Sequence, residues 1–413
     1  MKKICILFCC CMAAALSAFA AVPLTGVGVM ENMAGIAGKR GYGGDGMDAL
    51  KAHLASPLGL AVDRWHNIYV ADTLNHRIRR IDAHTGRIET VAGTGKPGFF
   101  NDGGHADMAG LKGPTALKFD RFGNLFIADT GNNRIRMLTP KGYLHTVAGT
   151  GRKGFDGDNI KAKNTALNHP TGLAFSSKGD LLIADTGNNR IRRLDPKTGL
   201  LSTVVGRGEP RDDGDFDLAP NAFLNKPSAI LFDKYDNLYI ADTGNHKIRF
   251  VDHRTGRILT LAGSGVKGYK GDNSGQSADA WFHNPTGLAL DRFGRIYVSD
   301  TDNQRVRRIT IDLINQRGTV ETVAGTGKRG YNGSDMNAWD TQLAYPGALV
   351  ITPLDMLYFV DTGNNLIRRV QGISGVRAPT SYAVYSASDA SSDSREFYEV
   401  LFKPQIEAAR QGK

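Results

Sequence analysis

The chain has 413 residues, of which 41% are hydrophobic, and it contains 50 glycines and 15 prolines. This length is ample for a buried core, and the glycine content is typical of many tight turns rather than of disorder. The formal net charge is +10, which favours anionic partners. All four cysteines lie among the first eleven residues, so the rest of the chain excludes disulfides, cysteine-ligated metals and thiol catalysis.

Residues 1–20 have the pattern of a secretory signal. Lys2 and Lys3 precede an apolar run from Ile4 to Leu16, and the sequence 18–20 is a small-residue cleavage site. As a helix this run is about 20 Å long, which is short of the roughly 30 Å of bilayer hydrocarbon. We therefore predict cleavage after Ala20 rather than a retained anchor, a secreted or periplasmic protein, and no transmembrane segment after cleavage.

One nine-residue stretch, Asp185–Arg193, organises the chain because it recurs six times. Each copy follows a short apolar run, such as Leu181–Ile183, and ends in a basic run that alternates with apolar residues. The apolar run predicts a strand that is buried on both faces, and the Asp-Thr-Gly-Asn sequence predicts a turn with its glycine at positive φ. The copies start, at steps of 56 to 61 residues, at Asp72, Asp129, Asp185, Asp242, Asp300 and Asp361.

A second repeated element predicts that the array closes into a ring. An Ala-Gly strand occurs six times, but its first copy, Ile36–Gly38, precedes every hairpin, and none follows the hairpin at Asp361. A ring needs one blade that is built from both chain ends, whereas an open solenoid needs polar caps. We predict an all-β, six-bladed propeller in which the strand around 33–37 completes the blade of 347–370.

The connections between units are about twenty residues long and end in a proline that is expected to begin the innermost strand. These prolines are Pro57, Pro114, Pro170, Pro227, Pro285 and Pro346. Aspartates recur in the connections, and we expect them to form turns rather than calcium sites. These aspartates are Asp45, Asp102, Asp158, Asp213 and Asp272.

The repeats resemble NHL repeats over residues 33–371. The resemblance is carried by pieces such as Leu58–Asp63, Asn67–Asp72 and Asn75–Arg80. It implies a six-bladed propeller whose relatives bind proteins, RNA or glycans, while the wider six-bladed group includes lyases and gluconolactonases. Leu74 and Asp302 depart from the repeat at the turn glycine, and local turn changes are expected there.

The aspartates that begin the nine-residue copies are predicted to be scaffold residues, because a catalytic site would occur once and not in every blade. We expect each of them to form an Asx turn and an exposed ion pair with a nearby arginine, which would contribute about 0–1 kcal/mol.

Function is instead expected where the blades differ, namely at the residues before each strand-leading proline. These are predicted to form a polar, partly cationic rim at the channel mouth. The candidate binding residues are Lys112, Asn168, His169, Asn225, Lys226, His283, Asn284 and Tyr345. Two of them are histidines, which could ligate a channel metal, but a zinc site needs three or more ligands. We predict no cofactor and assign no catalytic residue.

The leading hypothesis is an exported binding scaffold for a protein or an anionic glycan of the cell envelope. The alternative is a metal-assisted lyase or lactone hydrolase with its site in the central channel. No nucleic-acid partner is expected for an exported chain. The predicted organisation is a signal at 1–20, a lead-in at 21–32, the propeller at 33–371, and a tail at 372–413. The tail is either flexible or a linker followed by a docked helix over 396–411.

Overall fold

A computed structural model describes residues 28–312 and 317–376. These residues form six antiparallel sheets in a ring, each with four main strands, and the predicted all-β propeller is confirmed. The predicted signal segment and almost all of the predicted tail lie outside the described residues. In the described part of the chain the helical segments are three-residue turns, and none is long and apolar enough to span a bilayer.

The strands follow one another blade by blade. With the strands numbered in chain order, blade 1 contains β2 to β5, blade 2 contains β6 to β9, and blade 3 contains β11 to β14. Blade 4 contains β15 to β18, and blade 5 contains β19 to β22. Blade 6 contains β24 to β26 together with β1. The bounds are β1 Val29–Ala34, β2 Gly59–Val62, β3 Ile68–Asp72, β4 Arg77–Ile81, β5 Ile88–Ala92, β6 Ala116–Phe119, β7 Leu125–Asp129, β8 Arg134–Leu138, β9 Leu144–Ala148, β10 Ile160–Lys161, β11 Pro170–Phe175, β12 Leu181–Asp185, β13 Arg190–Leu194, β14 Leu200–Val205, β15 Pro227–Phe232, β16 Leu238–Asp242, β17 Lys247–Val251, β18 Ile258–Ala262, β19 Pro285–Leu290, β20 Ile296–Asp300, β21 Arg305–Asp312, β22 Arg317–Ala324, β23 Met336–Asn337, β24 Pro346–Ile351, β25 Leu357–Asp361 and β26 Leu366–Val370. The two-residue strands β10 and β23 extend the edges of blades 3 and 6.

Both chain ends contribute to blade 6, as the offset of the repeats predicts. β1 pairs antiparallel with β26 in the register Met30 with Val370 and Ala34 with Ile367. The closing strand spans Val29–Ala34, and therefore lies a few residues nearer the N-terminus than the sequence indicates. The ring is closed by backbone pairing, which leaves blade 6 with the same number of main strands as the others.

The core lies between blades, because each blade packs one apolar face against the next. One cluster joins Ala71 and Ile78 of blade 1 to Leu117, Leu125 and Ile127 of blade 2. The second strand of each blade is almost fully buried, which explains its continuous apolar sequence. Repeated burial of this kind makes each blade depend on its neighbours.

A 3₁₀ turn follows the second strand of every blade. These turns are Thr73–Asn75, Thr130–Asn132, Thr186–Asn188, Thr243–Asn245, Thr301–Asn303 and Thr362–Asn364. Similar turns occur in the connections at Ala49–Lys51, Ala106–Met108, Ala162–Asn164, Ala219–Asn221, Ser277–Asp279 and Ala338–Asp340, and one follows β26 at Ile373–Gly375. The repeated turns place the ends of β3, β7, β12, β16, β20 and β25 on one side of the ring.

The predicted role of the turn glycine is wrong. The left-handed residue is the one after the asparagine, for example Asn189 with φ of 52°, whose N–H closes the turn on Thr186. Gly187 instead leaves room for the amide group of Asn168, which lies 2.4 Å from the place that a Cβ would take. Leu74 is accommodated in blade 1, and Asp302 in blade 5, with the same 3₁₀ turn, so the expected local turn changes do not occur.

We predict that Met30→Ala lowers the free energy of unfolding by about 2–5 kcal/mol, because Met30 in the closing strand is fully buried. Met47→Ala is the matched control, since 53% of the Met47 side chain is exposed and its truncation should cost less than about 1 kcal/mol. Urea denaturation measures both values. Equal effects of the two substitutions would contradict a ring that is closed through β1.

Candidate functional site

A buried aspartate ends the second strand of every blade, and blade 3 shows its contacts. Asp185 is fully buried. Its Oδ1 accepts the backbone N–H of Asn168 at 2.7 Å, and its Oδ2 accepts Nδ2 of Asn188 at 2.8 Å. The predicted scaffold role therefore holds, but the predicted Asx turn and exposed ion pair are wrong. The carboxylate holds Asn168, the second residue before the strand-leading Pro170.

The arginine that pairs with this aspartate is also fully buried. Arg192 Nη1 lies 3.5 Å from Asp185 Oδ2, and Nη2 lies 3.2 Å from Asp158 Oδ1. Asp158 in turn accepts both the backbone N–H and the hydroxyl of Thr203 on β14. One guanidinium thus joins the second, third and fourth strands of the blade to the connection. The corresponding arginines are Arg79, Arg136, Arg192, Arg249, Arg307 and Arg368.

The connection aspartates are partners of these arginines in five blades. In blade 4 the partner of Arg249 is Asp215, at 2.7 Å, so Asp215 rather than Asp213 is the equivalent of the other connection aspartates. In blade 6 a backbone carbonyl, that of Gly333, takes the place of the carboxylate. The connections are therefore folded onto the blades through the same buried cation.

Aromatic residues of the connections stack on the arginines. The Phe155 ring lies 3.9 Å from the guanidinium of Arg190 and 4.7 Å from that of Arg192. Blade 4 lacks this aromatic residue, and there Lys247 instead forms an ion pair with Asp212 at 2.7 Å. The aromatic position of the connection is a packing device, which explains why it recurs.

Burial raises the pKa of the strand-ending aspartates above their ordinary value of 3.8. For Asp185, Asp242, Asp300 and Asp361 the pKa rises to about 6, since loss of hydration outweighs the hydrogen bonds and the adjacent arginine. The pKa of Asp72 and of Asp129 is raised for the same reason. These carboxylates are mostly ionised at neutral pH, at an energetic cost.

We call the side of the ring where the first strands begin and these turns lie the upper face; the lower face is the opposite side. A threonine of each 3₁₀ turn joins one blade to the next on the upper face. Thr186 Oγ1 donates to the carbonyl of Pro227 at 2.7 Å, and Thr362 of blade 6 donates to the carbonyl of Pro57 in blade 1. The equivalent bonds, all 2.6–2.8 Å long, start from Thr73, Thr130, Thr243 and Thr301. The hydrogen-bonded circle is complete.

The predicted rim residues lie on the upper face in a shared backbone geometry. The residue directly before each proline is left-handed, with φ between 45° and 54°. Its N–H donates to a side chain of the preceding blade, as His169 does to Oδ1 of Asn133 at 2.9 Å. The six residues are Ser56, Gly113, His169, Lys226, Asn284 and Tyr345, with acceptors Asn365, His76, Asn133, Asn189, His246 and Gln304. Identical backbone restraints therefore present different side chains.

The side chains of the rim differ in exposure and contacts. Lys112, His169 and Lys226 are exposed. Nδ1 of His169 is 2.9 Å from Oδ1 of Asn168, while Asn225 packs its amide over the turn glycine Gly244.

The rim of blades 5 and 6 is more enclosed. His283 Nε2 lies 3.6 Å from Asp302 Oδ2, which also accepts Nδ2 of Asn284, and the ring of His283 contacts that of His246. Tyr345 lines the central cavity. His169 and His283 have separate contacts, and in residues 28–312 and 317–376 no three His, Cys, Asp or Glu side chains come together as a metal site.

Cations surround this rim. The connection after each fourth strand carries an exposed lysine or arginine as it leaves the upper edge of the blade. These residues are Lys39, Lys96, Arg152, Arg207, Lys267 and Lys328. Exposed aspartates such as Asp107 and Asp213 lie in the same connections, so the cations nearest the centre of the upper face are Lys112 and Lys226.

The central channel holds a residue that sequence reasoning missed. A mostly apolar cavity of about 470 Å³ lies between the six first strands, and Lys118 of β6 lines it. The side chain is exposed to the open channel, and the partial loss of hydration between the channel walls lowers the pKa of the Lys118 ammonium. Among the described residues no carboxylate pairs with it. The equivalent residues are Ala61, Ala174, Leu231, Ala289 and Val350, so aligning the first strands would have revealed this lone cation.

We predict that Arg192→Met lowers the free energy of unfolding at pH 7 by about 3–5 kcal/mol, because it leaves the carboxylate of Asp185 buried without its cation. Arg193→Met, the next residue on β13, is the control; its side chain is 41% exposed, and its loss should cost at most about 1 kcal/mol. Similar costs for the two variants, measured by urea denaturation, would refute the buried ion pair.

The raised pKa values predict a pH dependence of stability. Between pH 3.8 and about 6 the native carboxyl of Asp242 binds more protons than the unfolded one, so the stability that it contributes is lost as the pH rises. Asp242→Asn removes this titration. We expect the stability of this variant relative to the parent chain to increase by on the order of 2 kcal/mol between pH 4 and pH 8.

Chemical denaturation at constant ionic strength measures this difference. Asp107→Asn, at an exposed position, serves as the control. A relative stability of Asp242→Asn that falls over the same pH range would contradict the raised pKa.

The NHL repeat model matches residues 167–194 and 282–309, which lie in blades 3 and 5. The chain is 33% identical over 295 residues to NHL repeat-containing protein 2 of Bos taurus, a match that covers 62% of this chain and 39% of that protein. The chain thus spans about two-fifths of the length of this relative.

Two solved structures illustrate the likeness in fold. An auxiliary nutrient binding protein from Bacteroides thetaiotaomicron is 17% identical, with a TM-score of 0.57 over 83% of this chain and 75% of that one. A gluconolactonase from Xanthomonas campestris is 13% identical, with a TM-score of 0.50 over 76% of this chain and 86% of that one. The repeat matches in blades 3 and 5 and the six-bladed ring together show that the chain is a six-bladed β-propeller that contains NHL repeats.

Proposed function

We propose that the chain is an exported scaffold that binds an anionic partner, either a glycan or an acidic protein face, on its upper face. The observation that carries this proposal is the rim, where six identical backbone restraints hold six different residues. A scaffold that needed only a turn would favour glycine at each left-handed position, as blade 2 does with Gly113. Side chains other than glycine that are kept in the left-handed backbone region at a steric cost support a role in recognition.

Charge supports an anionic partner. Exposed cations occur in every connection of the upper face, and Lys112 of blade 2 and Lys226 of blade 4 lie on either side of His169 in blade 3. A concentration of like charge raises the encounter rate with an opposite charge and gives a binding strength that decreases with salt. His169, Asn168 and Asn225 add hydrogen-bonding groups that could select among anions.

The fold itself does not choose between binding and catalysis, since propellers of this shape include both a nutrient binding protein and a gluconolactonase. Export is supported by the sequence of residues 1–20.

Immobilised polygalacturonate, a polyanionic glycan, is a direct probe. We predict that the triple variant Lys112→Gln, His169→Asn, Lys226→Asn binds it roughly tenfold more weakly or worse at low salt. Asparagine is chosen at His169 and Lys226 because it tolerates the left-handed backbone. The melting temperature of the variant should stay within a few degrees of that of the parent chain.

The control variant is Arg64→Ser, Arg121→Ser, Arg292→Ser, which removes three exposed charges from the lower face. It loses more positive charge than the rim variant, so non-specific attraction would make it the weaker binder. A loss of binding in the control that equals or exceeds the loss in the rim variant would overturn the proposal, and so would unaltered binding by the rim variant.

A further inference from the structure

The central cavity combines three features that are separate from the rim. Its wall is mostly apolar, its volume of about 470 Å³ is that of a small-molecule site, and it contains one ammonium group, that of Lys118. The side chain of Lys118 is exposed to the open channel, so its ammonium is accessible to a ligand there. The described residues supply no counter-ion, so a ligand could supply it.

The shape of the cavity around Lys118 leaves room for that counter-ion. Among the five equivalent positions, Ala61 is the small residue that lines the cavity, and no other charged side chain of the described residues lines it. Lys118 is the third residue of the four-residue strand β6, and therefore lies nearer the lower end of the channel. An anionic group is expected at this lower end, beside Lys118.

The upper end of the cavity has a different chemistry. Thr115, Thr171, Ser228 and Thr286 form an arc of hydroxyl groups, each 2.5–2.6 Å from the hydroxyl of a turn threonine. The hydroxyls of the turn threonines donate to proline carbonyls. Each hydroxyl of the arc must therefore be the donor to its turn threonine, so its hydrogen atom is already bound within the protein. The arc has no free donor with which to bind a second anion.

The arc is interrupted on one side, where blades 1 and 6 carry Leu58 and Gly347 at the equivalent positions. Leu58 is an apolar side chain that is 36% exposed and lines the cavity. A hydrocarbon chain that extends upward from Lys118 would find its apolar contacts along this side of the channel.

We propose that the channel binds an unbranched aliphatic carboxylate, with the carboxylate group on the ammonium of Lys118 and the hydrocarbon chain along the apolar wall toward Leu58. Charge pairing holds one end and burial of methylene groups holds the rest. This site is separate from the upper-face surface, and its probe carries none of the polymeric charge of the polygalacturonate test, so either proposal can fail alone.

Octanoate, titrated below its micelle concentration and followed by calorimetry, is the probe. We expect saturable binding to the parent chain and roughly tenfold or greater weakening in Lys118→Met, which keeps the length of the side chain without its charge. Lys163→Met, at an exposed lysine outside the cavity, is the matched control and should bind octanoate as the parent chain does.

Two further probes separate the carboxylate from the chain. Octan-1-ol should bind the parent chain and Lys118→Met with affinities within about threefold of each other, since the hydrocarbon contacts are unchanged. Hexanoate, which lacks two methylene groups, should bind the parent chain roughly tenfold more weakly than octanoate, at about 0.8 kcal/mol for each methylene.

Lys118→Met should fold about as stably as the parent chain, because the side chain of Lys118 is exposed to the channel. Loss of octanoate binding with a retained melting temperature would therefore support the proposal. Absence of octanoate binding to the parent chain, or equal octanoate affinity in Lys118→Met, would overturn it. Equal weakening in Lys163→Met would also overturn it, since only a general charge effect would then remain.

Discussion

The buried guanidinium between two carboxylates is the constraint on which the rest of the propeller depends. In blade 3, Arg192 contacts Asp185 on the second strand and Asp158 in the connection, while Asp158 binds the fourth strand. Burying these three charged side chains costs hydration free energy, so their main contribution is to position the strands and the connection that they join. Asp185 also fixes the N–H of Asn168, which brings the connection to the start of the innermost strand. The same cation therefore shapes the blade and its rim.

This arrangement explains why the repeated residues and the varied residues have different roles. The aspartate, asparagine, threonine and arginine of each copy serve geometry, and their side chains are occupied within the protein. The varied positions receive a backbone that is already restrained by the neighbouring blade, so a change of side chain there leaves the fold intact. Functional side chains can therefore vary at the rim without disturbing the fold. The same holds for a residue such as Lys118, which differs from its equivalents in the other first strands.

The ring could be predicted from the sequence because period and offset are global properties of the chain. The unpaired Ala-Gly element before the first hairpin anticipates the pairing of Met30 with Val370. The burial of Asp185 could not be predicted, because whether an aspartate is exposed depends on the connection that folds over it. The left-handed position was misassigned to Gly187, since glycine can be required either for its φ or for its missing Cβ, and only coordinates distinguish the two. Lys118 could not be found from the repeated motifs, because it is a single charged residue within an apolar strand and belongs to none of them.

Native-state hydrogen exchange at the rim tests most directly the claim that one closed scaffold presents six different residues. The amides to follow are those of Ser56, Gly113, His169, Lys226, Asn284 and Tyr345, each of which donates to the preceding blade. A closed ring of equivalent restraints predicts that they exchange with similar free energies, close to that of global unfolding, whatever their side chains. Much faster exchange at Ser56 and Tyr345 than at the other four would show that the ring opens at blade 6, which would contradict the closed scaffold.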